Sequence, residues 1–232
     1  MNFFNRVITE YSRKHEDEVE QDIKESKTEL SSQISNLIKK TLDDGNKVWL
    51  CTDWHLWMFD KKTKTVYQRS DFNAIINSYN RTVNPSDLVI YLGDLVDGQC
   101  EKKKELGEVL KSLPGTKIMV RGNNDLFDDE YYLSNGFKYI TPKFVYQNIL
   151  FSHMPCKNNN RLNIHGHIHG YKTYWLPYTN QIDVAYLGGR KKPVELDDVI
   201  KAQPGYSKLI KEVPEKFDEN IKQECYVDPF DD

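Results

Sequence analysis

Asn163-Ile164-His165-Gly166-His167-Ile168-His169-Gly170 places three of the chain's six histidines at alternate positions, with glycine on both sides of the last two. In an extended segment alternate residues share a face, so His165, His167 and His169 are expected to leave a strand tip together. Glycine at 166 and 170 lets the backbone turn sharply and come close to other groups. Neutral imidazole is the commonest protein metal ligand. The pattern therefore points to metal binding rather than to a chance run of surface histidines.

Other polar residues stand where apolar runs end. Lys47–Thr52 reads as a buried strand and runs into Asp53-Trp54-His55. Asp87–Leu92 runs into Gly93-Asp94-Leu95-Val96-Asp97-Gly98. Lys117–Val120 runs into Arg121-Gly122-Asn123-Asn124-Asp125, and Ile149–Ser152 runs into His153. Asp53, His55, Asp94, Asn123, His153, His167 and His169 together offer carboxylate, amide and imidazole donors. Such a mixed nitrogen and oxygen set suits Mn, Fe, Zn, Ni or Co better than Ca or Mg. It is too large for one ordinary site and about right for two. Two ions need a bridging carboxylate, and Asp94 is the natural candidate. A metal pair of this kind holds a water as hydroxide near neutral pH and clamps an in-line phosphoryl displacement.

The elements that must position these groups alternate. Residues 1 to about 45 read as helix, with Val19, Ile23, Leu30, Ile34, Leu37, Ile38 and Leu42 at helical spacing. Lys27 interrupts this stripe, which either lies on the main domain or pairs with a second chain. Asp43-Asp44-Gly45-Asn46 stops the helix. A second helix opens at Ser70-Asp71-Phe72, and a third covers about Glu101 to Leu113 before Pro114-Gly115. Strands alternating with helices imply a parallel or mixed sheet with helices outside it, and ligands there sit beyond the carboxyl ends of strands. After Asp125 come short β-like runs at Phe137–Ile140 and Phe144–Tyr146. Tyr171–Leu176 and Gln181–Tyr186 are expected to form a hairpin. A short helix starts near Pro193, and the tail after Pro204 is polar and ends acidic.

The chain has 232 residues, 38% of them hydrophobic and 29% charged, with a net charge of −3. That balance gives no general pull toward nucleic acid or anionic lipid. The four cysteines form no CxxC pair and are expected to be reduced thiols of a cytoplasmic protein. No stretch approaches the length that spans a bilayer.

The order Asp-x-His, Gly-Asp-x-x-Asp, Gly-Asn-x-Asp, His, Gly-His-x-His resembles the calcineurin-like metallophosphoesterase superfamily, in particular its small bacterial and phage-type members. The resemblance spans about Val48 to Ile200. It implies an α/β fold, a four-layer αββα sandwich, here with an added N-terminal helix. The expected division is 1–45 helical extension, 46–203 metallophosphoesterase domain and 204–232 polar acidic tail. Carried over by position, Asp53, His55, Asp94 and His169 hold a first metal, and Asp94, Asn123, His153 and His167 a second. Manganese is the first choice of ion. A bridging hydroxide between the two attacks phosphorus in line. His165 orients its neighbours, and Asp97 is structural or supports the ligands rather than being one.

One position departs from the pattern. Many members carry a His after the Gly-Asn pair that protonates the leaving oxygen or contacts the phosphate. Here Asn124 stands there, and an amide donates a hydrogen bond but delivers no proton near neutral pH. Either the leaving group needs no proton, or a metal-bound water or His165 supplies it, or the protein is slow or specialised for binding. Small members with Cys at this position are associated with phosphodiester cleavage, which favours a phosphodiesterase over a monoesterase. Among substrate contacts, Trp54 could stack a nucleobase, although core packing is the commoner use of such a residue. Lys157 and Arg161 could reach a phosphate. The expectation is thus a hydrolase acting on a small phosphate ester such as a nucleotide. Its rivals are a scaffold of the same fold with little activity and a nuclease, which would want a basic groove. The N-terminal helix raises the prospect of a homo-oligomer.

Overall fold

A computed structural model describes residues 29–60, 62–63, 65–96, 102–156, 161–169 and 181–201. Helix α1 (Glu29–Asp43) is followed by strands β1 (Val48–Cys51), β2 (Trp57–Asp60) and β3 (Thr65–Gln68). Helix α2 (Phe72–Thr82), β4 (Leu88–Tyr91), α3 (Lys103–Ser112), β5 (Thr116–Val120), α4 (Asp129–Ser134) and β6 (Phe137–Thr141) come next. Then β7 (Lys143–Tyr146), β8 (Ile149–Ser152), β9 (Leu162–His165), β10 (Gln181–Asp183), β11 (Val194–Glu195) and α5 (Leu196–Lys201) complete the described elements.

Two sheets carry the site. The larger has strand order β11-β1-β4-β5-β6 and the smaller β10-β9-β8-β7. Strands β1, β4, β5 and β6 run parallel, as do β8, β9 and β10. The alternation along each strand divides the core. Trp49, Cys51, Val89, Tyr91 and Met119 face one apolar cluster with Phe72, Ile75, Tyr79, Leu106, Leu110, Tyr131 and Tyr132 from α2, α3 and α4. Val48, Leu50, Leu88, Ile90, Ile118 and Val120 face the other, with Phe144, Phe151, Leu162 and Ile164 of the smaller sheet. Strands apolar on both faces must be covered on both faces, which is why these runs show no polar alternation.

The apolar stripe of α1 belongs to that second cluster. Ile34 and Ile38 are fully buried there, with Leu30, Leu37 and Leu42 packed against it. Ser35 Oγ donates to Val145 O at 3.1 Å on β7. Of the two readings of this stripe, Leu30, Ile34, Leu37, Ile38 and Leu42 follow the one in which it lies on its own domain. The helix stops in a left-handed turn at Gly45, φ +78°. There Asn46 N donates to Thr41 O and Gly45 N to Leu42 O, both at 3.0 Å, satisfying carbonyls of the last turn.

The β2–β3 hairpin and α4 were not anticipated. Strand β10 pairs parallel to β9, and the first arm of the expected hairpin with its turn lies outside the described residues. Asp71 precedes α2 but gives it no side-chain cap, because its carboxylate pairs with Arg69. Residues 1–28 and the tail after Lys201 also lie outside the described residues. Among the described residues, no helix is long and apolar enough to cross a membrane.

Candidate metal centre

Every donor singled out by sequence follows the carboxyl end of a strand. Asp53 and His55 follow β1, Asp94 follows β4 and Asn123 follows β5 in the larger sheet. His153 follows β8, and His167 and His169 follow β9 in the smaller one. The tips of β1 and β4 stay paired beyond the strands, through Asp53 N to Gly93 O and His55 N to Asp94 O at 3.0 Å each. The two sheets touch at Gly166, where a Cβ would overlap Thr52 Oγ1 and lie 2.7 Å from Asp53 Oδ2. Only glycine permits this approach, and His167 N then donates to both Asp53 oxygens at 3.1 Å.

Five of the seven donor residues have left-handed backbone: Asp53, His55, Asp94, His167 and His169, with φ between 41° and 70°. Non-glycine residues there are uncommon, and such strain collects at functional sites. It also explains the placement of His165 and of Trp54. Strand β9 ends at His165, and the left-handed turn at His167 breaks the alternation. His165 stays in the sheet, fully buried, with Asp183 as its β10 partner and Nδ1 at 2.9 Å from Gly166 O. It does not join the grouped donors. Likewise Trp54, between two left-handed residues, turns into the core. It is fully buried, edge-on to Tyr79 and Tyr91, and donates Nε1–H to Gly189 O at 3.1 Å. That leaves no ring face for a base.

Two donor groups share Asp94: Asp53, His55, Asp94 and His169, and Asp94, His153 and His167. In the first, His55 Nε2 is 3.2 Å from His169 Nε2 and 3.6 Å from Asp94 Oδ2, and His169 Nε2 is 3.4 Å from Asp53 Oδ1. In the second, His153 Nε2 is 3.3 Å from Asp94 Oδ2, and His167 Nδ1 is 3.2 Å from His153 Nε2. Asn123 Oδ1 completes it, 3.0 Å from both imidazoles. Donors about 2.1 Å from one ion lie about 3.0 Å apart across an octahedral edge and about 3.4 Å across a tetrahedral one. All of these spacings but the 3.6 Å one from His55 to Asp94 fall in that range, and the donor chemistry fits divalent transition metals. Asp53 and Asp94 are also almost wholly buried, and buried carboxylates call for cations.

The electrostatics follow from that burial. Burial works against charge on Asp94, yet the His153 charge and hydrogen bond hold its carboxyl well below the usual range. Burial likewise opposes charge on His153, but Asp94 prevails and lifts it to about 10. Asp53 is lowered against its burial, chiefly by His169. Burial pushes His55 down, and His165 down to about 4, so near neutral pH His165 is the neutral imidazole and not an imidazolium acid. His153 Nδ1 lies 2.7 Å from Leu92 O, which directs Nε2 toward the donor group.

The calcineurin-like phosphoesterase model matches residues 46–224. The chain belongs to the calcineurin-like phosphoesterase family. An uncharacterized protein of Methanocaldococcus jannaschii is 28% identical over 173 residues, 67% of this chain and 90% of that protein. A protein of unknown function from Aquifex aeolicus shares the fold, with a TM-score of 0.51 and 22% identity over 67% of this chain and 98% of its own. A Pseudomonas putida nuclease aligns with a TM-score of 0.40 and 16% identity over 54% and 62% of the two chains. Family and donor groups together support a metal-dependent phosphoesterase.

Within this phosphoesterase, Asn124 does not stand clear of Asp94 as a proton donor would. Its N–H donates to Asp94 Oδ1 at 3.0 Å and its Nδ2 to Oδ2 at 2.9 Å. Arg161 sits partly buried just before β9 and Lys157 lies outside the described residues, as does Asp97. Sequence reasoning gave no role to Asp125. Its carboxylate accepts from Asp94 N at 2.7 Å, Gly122 N at 2.8 Å and Leu95 N at 3.0 Å, tying the β4 and β5 tips together. Burial and the charge of Asp94 push it up to about 7. Arg190 was also missed. Its Nε donates to Asp53 O at 3.3 Å, and Gly189 O beside it accepts from Thr52 N at 3.3 Å. The Gly-Gly-Arg after β10 was the available signal.

Proposed function

We propose that this protein is a dinuclear metal-dependent phosphodiesterase acting on a small phosphate ester, a nucleotide being one candidate. The observation that carries the reading is Asp94 Oδ2, a single oxygen facing His55 of one donor group and His153 of the other at 3.6 and 3.3 Å. On this reading Asp53, His55, Asp94 and His169 hold one ion, and Asp94, Asn123, His153 and His167 hold the other. Manganese is the favoured ion. The pair, when bound, supplies a nucleophile from water at neutral pH and neutralises charge on the phosphoryl group.

The chain's own residues do the rest. Leu92 O fixes the ring of His153, the Thr52 hydroxyl donates to Asp53 Oδ2 at 2.6 Å, and Asp125 holds the Asp94 backbone. The engaged amide of Asn124 supports the preference for diesters. With no acid at that position, the leaving group must depart with little proton help, and general acid help is worth about 10²–10⁴-fold. The net charge of −3 favours a small substrate over a long nucleic acid.

The test is hydrolysis of a bis-aryl phosphodiester and the matching aryl monoester, with and without Mn²⁺, by wild type and Asp94→Asn. Diester turnover that requires metal and falls by at least about 10³-fold in the variant is expected. Faster monoester than diester turnover would reverse the preference. Metal uptake with neither ester cleaved would favour a scaffold.

A further inference from the structure

Asp94 Oδ2 is over-subscribed. It is the oxygen nearest both donor groups, and it also accepts the side-chain N–H of Asn124 at 2.9 Å. A carboxylate oxygen offers two lone-pair directions. An ion in each group would use both, and the Asn124 amide claims one of them. The backbone N–H of Asn124 causes no such conflict, because it donates to Oδ1 at 3.0 Å. A neutral imidazole at this position could turn its unprotonated nitrogen toward a cation. The amide nitrogen has only N–H to present, so it must rotate away.

We propose that the Asn124 side chain occupies a lone-pair direction of Asp94 Oδ2 that the second ion needs, and is displaced when that ion binds. The two donor groups then fill in order, the second more weakly. The inference rests on the two-ion reading above and adds the coupling between the sites. Its structural basis is local: the same loop supplies Asn123 to one donor group and Asn124 to the shared oxygen. Asp125, bonded to Asp94 N and Gly122 N, fixes that loop so that the backbone does not absorb the conflict. Only the Asn124 side chain is left to give.

The experiment titrates the metal-free full chain with Mn²⁺ by calorimetry, and follows the exchange-coupled Mn pair by electron paramagnetic resonance. In the wild type the first ion binds roughly tenfold or more tighter than the second, and the coupled signal grows only after the first equivalent. Asn124→Leu keeps the approximate volume and removes the N–H. It tightens the second step by roughly fivefold or more and leaves the first within about twofold. Asn124→Ala gives the same direction and stands in if the leucine variant does not fold. A second step unchanged or weakened in the folded variants overturns the coupling and leaves the two-ion reading intact. Wild type binding one ion or none overturns both.

Discussion

The two sheets contribute different chemistry to one centre. The larger sheet brings every oxygen donor, Asp53, Asp94 and Asn123, with His55 as its imidazole. The smaller sheet brings His153, His167 and His169 and no oxygen donor. The larger sheet's tips are fixed by many hydrogen bonds: the β1–β4 backbone pairs, the three donations to Asp125 and the two from Asn124. On the smaller side His153 is as firmly held, by Leu92 O, and Gly166 N donates to His153 O at 3.0 Å. His169 is the least enclosed imidazole, its side chain 34% exposed. The carboxylates thus form a prebuilt platform, and the outer imidazole completes it. A bound ion would then join two sheets as well as activate water.

The sharpest way to break this arrangement is at the seam. Gly166→Ala would drive a methyl into Thr52 Oγ1 and toward Asp53 Oδ2, where nothing flexible can yield. Overpacking of this kind costs about 1–3 kcal/mol of stability. The larger effect is on function, because the donors of both sheets separate. Activity is expected to fall by at least about 10²-fold, since small misplacements of catalytic groups cost that much. Ester hydrolysis and Mn²⁺ calorimetry measure it. Normal metal binding in the variant would show that the tips tolerate separation and that the seam is not what aligns the centre.

Most of this centre was legible because each donor follows a short apolar run, and a buried parallel strand both looks like such a run and ends where ligands bind. Family membership and the grouping of Asp53, His55, Asp94 and His169 agree with that reading. What failed was inference from periodicity across strand ends. His165, His167 and His169 alternate in sequence, yet the left-handed backbone at His167 separates His165 from the other two. Trp54 is adjacent to two donors and still points into the core for the same reason. Helix α4 has 6 residues, too few to show a period, and only Asp128, which caps Tyr131 N at 2.8 Å, advertised it. Asp125 and Arg190 act through backbone groups, so their places in Gly-Asn-x-Asp and Gly-Gly-Arg did not by themselves reveal what they hold.

If ions join the sheets, their removal loosens the protein. A ligand present at about 100 times its dissociation constant adds about 2.7 kcal/mol to stability. For a chain of this size that is about 5–10 °C in melting temperature. Chelation followed by differential scanning calorimetry is expected to show a fall of this order, restored by Mn²⁺. Asp53→Asn should remove much of the restorable part, and Asn124→Leu should not. A melting temperature indifferent to chelator would mean that the hydrogen-bonded platform alone holds the tips, and that the ions add chemistry without stability.

The smallest effect concerns protons and separates the two donor groups. His153, lifted to about 10 by Asp94, carries a proton at pH 7 in the metal-free protein. His55, pushed down by burial, does not. An imidazole must be neutral to bind metal. Filling the group with His153 therefore releases about one proton at pH 7, and filling the group with His55 releases fewer. Calorimetry in buffers of different ionisation enthalpy counts them. The same shift sets a stability window. A histidine whose folded pKa is raised adds stability that is complete below its unfolded value near 6.5 and is lost as pH rises toward about 10. The metal-free protein should thus lose a part of its stability between those limits. His153→Gln should flatten that portion of the pH profile, with chemical denaturation as the measure. A wild-type profile already flat there would mean that His153 is neutral before any ion arrives, and that the two groups differ in geometry alone.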